Sequence, residues 1–244
     1  MIEEKGLLLI LFFFVYIKYN MNIMTDINKK KLKYSLWSLA YIGLTAIIVV
    51  SATSIFNNYY YESVYVSGSS MQPTFDGDGA SKSLGSDYGI VDKSRGAKNT
   101  IKRYQIVTTY YPSDVGSDGK VRDDATYKIK RVLVKPGETF KVENNDLYIY
   151  NHHTKSWSEK LDMPFERNLE SIVRNVSETT LKDNEYFLAG DNWAHSSDSF
   201  SVGPINYDLL VGVVAKMQGK CTIRDGKVVE KAPYEARYFL GVDY

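Results

Sequence analysis

The stretch from residue 36 to residue 56, LWSLAYIGLTAIIVVSATSIF, contains no charged side chain and is about as long as a membrane-spanning helix. Trp37 and Tyr41 lie toward one end, where aromatic residues often meet the membrane interface. A buried core helix is one alternative, and a cleaved signal peptide is another, although such peptides usually have a shorter apolar region. The length without charge favours an uncleaved transmembrane anchor, which we place at residues 35–57.

The segment before this anchor is basic. Residues 18–34 contain five lysines and one acidic residue, so the positive-inside rule predicts that they are a cytoplasmic loop within an N-terminal segment of residues 1–34. A shorter apolar stretch at residues 6–17 leaves open a first span, and Met24 leaves open a later translation start. In each case the chain after the anchor is expected on the outer face of the membrane.

Residues 58–244 are predicted to form one β domain. Short alternating runs rich in Val, Ile, Thr and Tyr are bounded by Gly, Asp, Asn or Pro, which is typical of strands separated by turns. The predicted fold class is therefore mainly β, with a transmembrane helix followed by an extracytoplasmic sandwich or partly open barrel. The predicted strands are residues 63–67, 88–93, 104–111, 127–134, 139–144, 146–151 and 185–190.

Composition excludes several function classes. A chain with 44% hydrophobic and 14% aromatic residues is not wholly disordered. Its formal net charge of +1 gives no general attraction for nucleic acid. Cys221 is the single cysteine, so neither an internal disulfide nor a cysteine-rich metal site is expected.

Three short segments are candidates for chemistry, and the first is SGSSMQPTF at residues 67–75. It directly follows the first predicted strand of the β domain. A serine in such a turn presents its hydroxyl and its own backbone N–H, which suits a nucleophile beside an oxyanion donor. Turns of this composition are also common as purely structural elements.

The second segment is YKIKRV at residues 127–132. In a strand, Lys128 and Lys130 share one face and Arg131 lies on the other. Taken alone, three cations within four positions favour a solvated edge strand. The alternative is that one lysine is partly buried, because burial lowers the pKa of the ammonium and lets the neutral amine act as a general base.

The third segment is GDNWAHSSDS at residues 190–199. Dense Asp, Asn and Ser after a strand usually indicate a turn that side-chain hydrogen bonds to the backbone stabilise. His195 also leaves open a Ser-His-Asp triad with Ser70 and either Asp191 or Asp198.

Together, and in this order after an anchor, SGSSMQPT, YKIKRV and GDNWAHSSDS resemble the serine, lysine and Gly-Asp-Asn motifs of the type I signal peptidases, the Ser/Lys membrane peptidase family. The resemblance implies that Ser70 is the nucleophile, Lys130 its general base and Ser196 the hydroxyl that supports the lysine. Asp191 and Asp198 then hold structural positions in the floor of the site. The family has no catalytic histidine, which argues against the triad, and it implies no metal and no organic cofactor.

The resemblance also implies an activity, the removal of signal peptides from exported pre-proteins after small residues of the Ala-x-Ala type. Val64, Val66, Met71 and Ile129 are expected to line shallow apolar pockets that admit alanine and reject larger side chains. An extended peptide is expected to pair with the sheet. The implied partners are signal peptides, membrane lipid and the secretion translocon, with no nucleic acid, and the catalytic domain is expected on the extracellular side of the cell membrane.

This chain departs from the family pattern at two places. Position 68 is glycine where some members carry a serine hydroxyl in the oxyanion hole, a gap shared with Gram-positive members, so Ser67 or Ser69 has to replace that donor if one exists. Trp193 and Phe200 stand where the family often carries arginine, which puts the local salt bridge of the third motif in doubt. Their rings either enter the membrane surface or pack inside the domain.

Three other functions compete with a general processing enzyme. A dedicated Ser/Lys peptidase with one substrate, such as a pilus or conjugation component, fits the motifs equally well. A non-catalytic assembly factor for such a system has no need for both Ser70 and Lys130. A secreted β-rich adhesin leaves all three motifs unexplained.

Overall fold

The protein is described here by a computed structural model that covers residues 26–78 and 83–239. The chain divides into two compact units between Asn57 and Asn58. The predicted short span at residues 6–17 and the alternative start at Met24 lie outside the described residues.

Helix α1, Asp26–Tyr60, contains the predicted anchor. Large apolar side chains such as Trp37, Leu44 and Val50 are exposed along it. A helix that is apolar on all sides has no polar face to present to water, which is typical of a membrane span. Within the part of the chain that the structure describes, Lys30–Tyr60 is the one helical stretch long and apolar enough to cross a membrane.

The second unit is mainly β. Its helical elements are short: α2 at Arg95–Asn99, α3 at Ser199–Val202, and two 3-10 turns at Pro112–Asp114 and Tyr207–Leu209. Its described strands are β1 Tyr61–Tyr65, β2 Ser86–Asp92, β3 Ile106–Thr109, β4 Lys128–Val134, β5 Thr139–Glu143, β6 Asp146–Asn151, β7 Ser156–Trp157, β8 Val176–Thr180, β9 Glu185–Ala189, β10 Ile205–Asn206, β11 Leu210–Arg224 and β12 Lys227–Arg237.

These strands form two open antiparallel sheets. The larger sheet has the order β1-β2-β11-β3-β4-β9-β10, with β12 also paired to β11, and the smaller one has the order β7-β6-β5-β8. The predicted mainly β fold with an open sheet architecture is confirmed. The solvated edge that the cations of residues 127–132 favoured is wrong, because β4 lies between β3 and β9. Residues 132–134 are buried one after another, which shows that both faces of this strand are covered.

The predicted strands are all present, most of them with ends that differ by one to a few residues, but β7, β8, β10, β11 and β12 were not predicted. The β11–β12 hairpin turns at Asp225 and Gly226, which both have positive φ. Asp-Gly is the pair that a two-residue hairpin turn of this kind prefers, so the signal for this hairpin was present in the sequence.

The larger sheet curls until β1 approaches β4. The two strands do not pair, but the Tyr127 hydroxyl donates a hydrogen bond to Glu62 Oε1 at 3.1 Å across the gap. Val64 from β1 and Ile129 from β4 also belong to one buried cluster. The gap between β1 and the start of β4 is therefore a cleft, and these contacts hold its two walls at a fixed separation.

Candidate active site

The loop that carries Ser70 leaves β1 through Gly68. Its φ of +89° is a backbone conformation that residues other than glycine rarely adopt. Asn192 of the third motif clamps the loop from the other side. Its side-chain Nδ2 donates to the Ser69 carbonyl at 3.0 Å, and its backbone N–H donates to the Ser70 carbonyl at 3.0 Å. The position of Ser70 is thus fixed by hydrogen bonds to its own backbone and its neighbour's.

Lys130 reaches this serine from the centre of the sheet. Its Nζ donates to Ser70 Oγ at 2.8 Å and to the Ile129 carbonyl at 3.0 Å, and the residue is only 3% exposed. No carboxylate of residues 26–78 and 83–239 forms an ion pair with this amine. Burial lowers the pKa of Lys130 to about 8, against the opposing pull of Asp198 and Asp191.

The Ser196 side chain lies close to the Ser70 backbone. Its Oγ is buried and has no partner among the described residues. A Cβ added to Gly190 would lie 2.3 Å from Ser196 Oγ and 2.2 Å from the Ser70 carbonyl oxygen. Gly190 is therefore the spacer that lets the Ser196 hydroxyl approach the Ser70 backbone, and the support of Lys130 by Ser196 stays a prediction.

Asp191 is held in the floor of the site by an ion pair. Arg131 donates to its two carboxylate oxygens at 2.8 and 2.6 Å, and the Thr74 hydroxyl also donates to it. The carboxylate is fully buried, and the guanidinium packs over the Phe165 ring at 4.1 Å. Because Arg131 follows Lys130, this bidentate pair ties the second motif to the third, and the Thr74 hydroxyl joins the Ser70 loop to both.

Asp198 stabilises the turn that follows β9. Its carboxylate accepts hydrogen bonds from the backbone N–H of Gly190 at 3.0 Å and from that of Phe200 at 3.2 Å, the latter as the N-cap of α3. Its cationic partner is Arg174, 3.6 Å away. The sequence put this salt bridge in doubt, and no motif signalled Arg174, which lies in the loop before β8.

The two aromatic residues of the third motif pack inside the domain. Trp193 is fully buried, and its ring lies 4.9 Å from that of Phe200, which in turn contacts Phe187 at 5.0 Å. The Trp193 ring is therefore not available to enter a membrane surface, whereas Phe200 is half-buried. The exposed His195 pairs with Glu170 on the surface at 2.9 Å. It has no contact with Ser70, so the structure does not assemble the Ser-His-Asp triad.

The cleft between β1 and β4 has a volume of about 500 Å³ and leads to Ser70 and Lys130. All four residues predicted to form substrate pockets line it, which are Val64, Val66, Met71 and Ile129. Tyr110 and Tyr127 also line it and were not predicted. That the four predicted residues bind substrate remains a prediction. Of the two serines considered as oxyanion donors, Ser67 lines the cleft, whereas Ser69 does not.

Across residues 26–78 and 83–239, no group of three or more His, Cys, Asp and Glu side chains is arranged to hold a metal ion. The site itself offers a hydroxyl, a partly neutral amine, and backbone N–H groups next to an apolar cleft.

The fold and the site together define an anchored, open β domain in which a buried lysine amine contacts a serine hydroxyl. A family model described as signal peptidase, peptidase S26, matches residues 37–217. The chain therefore belongs to the signal peptidase family.

Individual relatives agree with this assignment. The chain is 30% identical over 196 residues to signal peptidase I V of Bacillus subtilis, a match that spans 75% of this chain and 98% of that protein. It is 28% identical over 203 residues to signal peptidase I T of the same species, across 79% of this chain and 89% of that protein. A crystal structure of a signal peptidase I from Enterococcus faecalis aligns with 23% identity and a TM-score of 0.33, over 47% of this chain and 97% of that one.

Proposed function

We propose that the protein is a membrane-anchored serine endopeptidase that removes signal peptides from exported pre-proteins, with Ser70 as the nucleophile and Lys130 as the general base. The observation that carries the proposal is the 2.8 Å contact between a buried amine and a serine hydroxyl at the end of an apolar cleft. Family membership supports a peptidase, and the relatives named signal peptidase I support the reaction.

The first half of the reaction uses the neutral form of Lys130. The amine accepts the proton of Ser70 Oγ, and the oxygen attacks the scissile carbonyl carbon of the substrate. The negative charge that develops on the carbonyl oxygen is stabilised by the Ser70 backbone N–H, with the Ser67 hydroxyl as a second donor. The Lys130 ammonium then gives its proton to the leaving amine, and an acyl-enzyme remains on Ser70.

The second half releases the signal peptide. A water molecule gives a proton to Lys130, attacks the ester carbonyl and restores the Ser70 hydroxyl when the ester bond breaks. Ser196 is the group that we assign to orient the amine. Its hydroxyl is buried, close to the Ser70 carbonyl and without another partner among the described residues, so it is free to accept a hydrogen bond from Nζ.

Substrate choice follows from the cleft. An extended peptide fits between β1 and residues 128–130 of β4, which do not pair with β9, and strand pairing there fixes its register. The apolar wall of Val64, Val66, Met71 and Ile129 favours small side chains of the Ala-x-Ala type. We assign residues 18–34 of the N-terminal segment 1–34 to a cytoplasmic loop, residues 35–57 to the anchor and residues 58–244 to a catalytic domain on the extracellular side, with membrane lipid and the secretion translocon as partners.

Cleavage assays with the full-length protein in detergent micelles test the proposal. The substrate is a labelled pre-protein with an Ala-x-Ala site. Ser70→Ala and Lys130→Ala should each lower the cleavage rate at least about a thousandfold with the thermal unfolding midpoint retained. The matched controls are Ser177→Ala and Lys182→Ala on the exposed surface, which should cleave like the wild type. Undiminished cleavage by either active-site variant would end the proposal.

A panel of several pre-proteins in the same assay separates a general enzyme from a dedicated one. A general enzyme cleaves every substrate that has small residues at the first and third positions before the cut. A dedicated peptidase cleaves one of them and leaves the others intact.

A further inference from the structure

Arg174 makes three contacts with the third motif from outside it and one with Phe200, the residue that follows the motif. Its Nη1 lies 3.6 Å from Asp198 Oδ1, and its Nη2 donates to the carbonyl oxygens of Trp193 and Ser196. The guanidinium packs over the Phe200 ring at 4.7 Å. The Arg174 side chain therefore contacts both ends, Trp193 and Asp198, of the segment that contains Ser196.

The backbone of Arg174 is itself held by the smaller sheet. Its N–H donates to Asn145 Oδ1 at 2.6 Å, and the Asn145 N–H donates to the Arg174 carbonyl at 3.1 Å. Asn145 Nδ2 also donates to the Ile172 carbonyl at 2.8 Å. Because Asn145 lies in the turn between β5 and β6, these hydrogen bonds fix the backbone of Arg174 to the smaller sheet.

We propose that Arg174 is a positioning residue of the active site, which holds the 193–198 segment against Ser70 and Lys130 and balances the charge of Asp198. The inference rests on the proposed function, because a positioning role requires that Ser70 and Lys130 perform the chemistry. It also explains how the chain tolerates Trp193 and Phe200, since the missing cation reaches Asp198 from another loop.

The charges around Lys130 indicate that Arg174 also affects the protonation of Lys130. Each charged group that acts on the pKa of Lys130 has a counter-ion of its own: Asp198 has Arg174, Asp191 has Arg131, and Lys128 has Asp114. Loss of Arg174 leaves the Asp198 carboxylate unbalanced, which favours the ammonium form of Lys130. Loss of Asp198 has the opposite effect. The two changes therefore shift the pH dependence of cleavage in opposite directions.

The test compares pH profiles of kcat/KM for the full-length protein in micelles with an Ala-x-Ala peptide. For Arg174→Met we expect kcat to fall about tenfold or more with KM nearly unchanged, and the midpoint of the profile to rise by about half a pH unit. Asp198→Asn should move the midpoint down, and the double variant should return it toward the wild-type value. Arg174→Lys should restore most of kcat, and the exposed Arg224→Met should match the wild type.

The outcomes separate this inference from the proposed function. If Ser70→Ala is inactive while Arg174→Met keeps the wild-type kcat and midpoint, the positioning role is wrong and the function stands. If Ser70→Ala cleaves normally, both fall. Should the methionine variant fail to fold, Arg174→Gln keeps a polar side chain without the charge, and a midpoint unchanged in that variant overturns the charge-balancing role.

Discussion

Lys128 and Lys130 lie two residues apart on one strand, yet their ammonium groups have opposite environments. Lys128 is 30% exposed in its side chain and forms an ion pair with Asp114 at 2.8 Å. Lys130 is buried, and its Nζ donates to the uncharged Ser70 hydroxyl and a backbone carbonyl. Only the second environment favours a neutral amine, so position on the strand rather than residue type separates a structural lysine from a candidate base.

The pH dependence of cleavage should therefore report Lys130. Because burial lowers the pKa of Lys130 to about 8, the neutral amine becomes scarcer below that pH. We expect kcat/KM to fall about tenfold per pH unit below 8 and to level off above it. Rates from pH 6 to pH 10 measure this midpoint. A pH dependence that disappears in His195→Ala would assign the base to the histidine instead.

Lys130→Met should make the protein more stable at neutral pH, although it removes the proposed base. The pKa of Lys130 is about 8 in the folded chain and 10.5 in the unfolded chain. Below pH 8 the folded protein therefore contains a buried ammonium group, whereas the same group is hydrated in the unfolded chain. That charge costs up to about 3 kcal/mol. Between pH 8 and 10.5 the unfolded chain binds more protons, so the stability of the wild type rises with pH.

Thermal unfolding of the two proteins across this pH range measures the effect. The melting temperature of Lys130→Met should exceed that of the wild type most below pH 8, and the difference should shrink toward pH 10.5. Lys182→Met is the control, because the Lys182 side chain is 78% exposed. A difference that is constant with pH would show that packing, not charge, is responsible.

Gly190→Ala should disrupt the site directly. The new methyl group would lie 2.2 Å from the Ser70 carbonyl oxygen, and backbone atoms cannot move aside without shifting the nucleophile. We expect a loss of stability of about 1–3 kcal/mol. Cleavage should fall at least about tenfold, because the Ser70 hydroxyl is displaced from the amine. Cleavage rates and melting temperatures measure both effects.

Gly96→Ala is the matched control for this change. Its added methyl would be 3.9 Å from the nearest atom and alanine favours the helix more than glycine, so the cleavage rate should be unchanged and the melting temperature should not fall. Wild-type activity in Gly190→Ala would mean that the Ser70 loop adapts and that its exact backbone position is unimportant.

Ile129→Ala should broaden substrate choice. Ile129 lines the cleft beside Lys130, and a smaller side chain there leaves room for valine or leucine before the cut. The ratio of kcat/KM for a valine substrate to that for an alanine substrate should rise about tenfold. Ile149→Ala, in the smaller sheet, should leave this ratio at its wild-type value. An unchanged ratio in Ile129→Ala would place the pocket elsewhere.

Much of this fold is readable from local pattern. Alternation of apolar residues located β5 and β6 to within a residue, because each of these strands buries one face. The pattern of β11 was missed because it is buried on both faces over much of its length, and such strands do not alternate. The face that Lys130 presents was also undetermined, since alternation says which residues share a face but not which face is covered.

The site was predictable only where its residues lie in contiguous motifs. Ser70, Lys130 and the residues of the third motif come from three such segments, and their resemblance to one family suggested that they meet. Arg174 comes from a loop with no motif, and its contacts with Asp198 and the Ser196 carbonyl exist only because the smaller sheet packs behind that segment. Asn192 was visible in the motif, but its hold on the Ser70 loop was not.

The order of strands in the larger sheet bears on when the enzyme becomes able to act. Ser70 follows β1 and Lys130 lies on β4, and β11 stands between the strands that flank them, β2 and β3. A nascent polypeptide that ends before β11 lacks the strand that pairs with both β2 and β3. We therefore expect the cleft that contains Ser70 and Lys130 to assemble only after residues 210–224 have been synthesised.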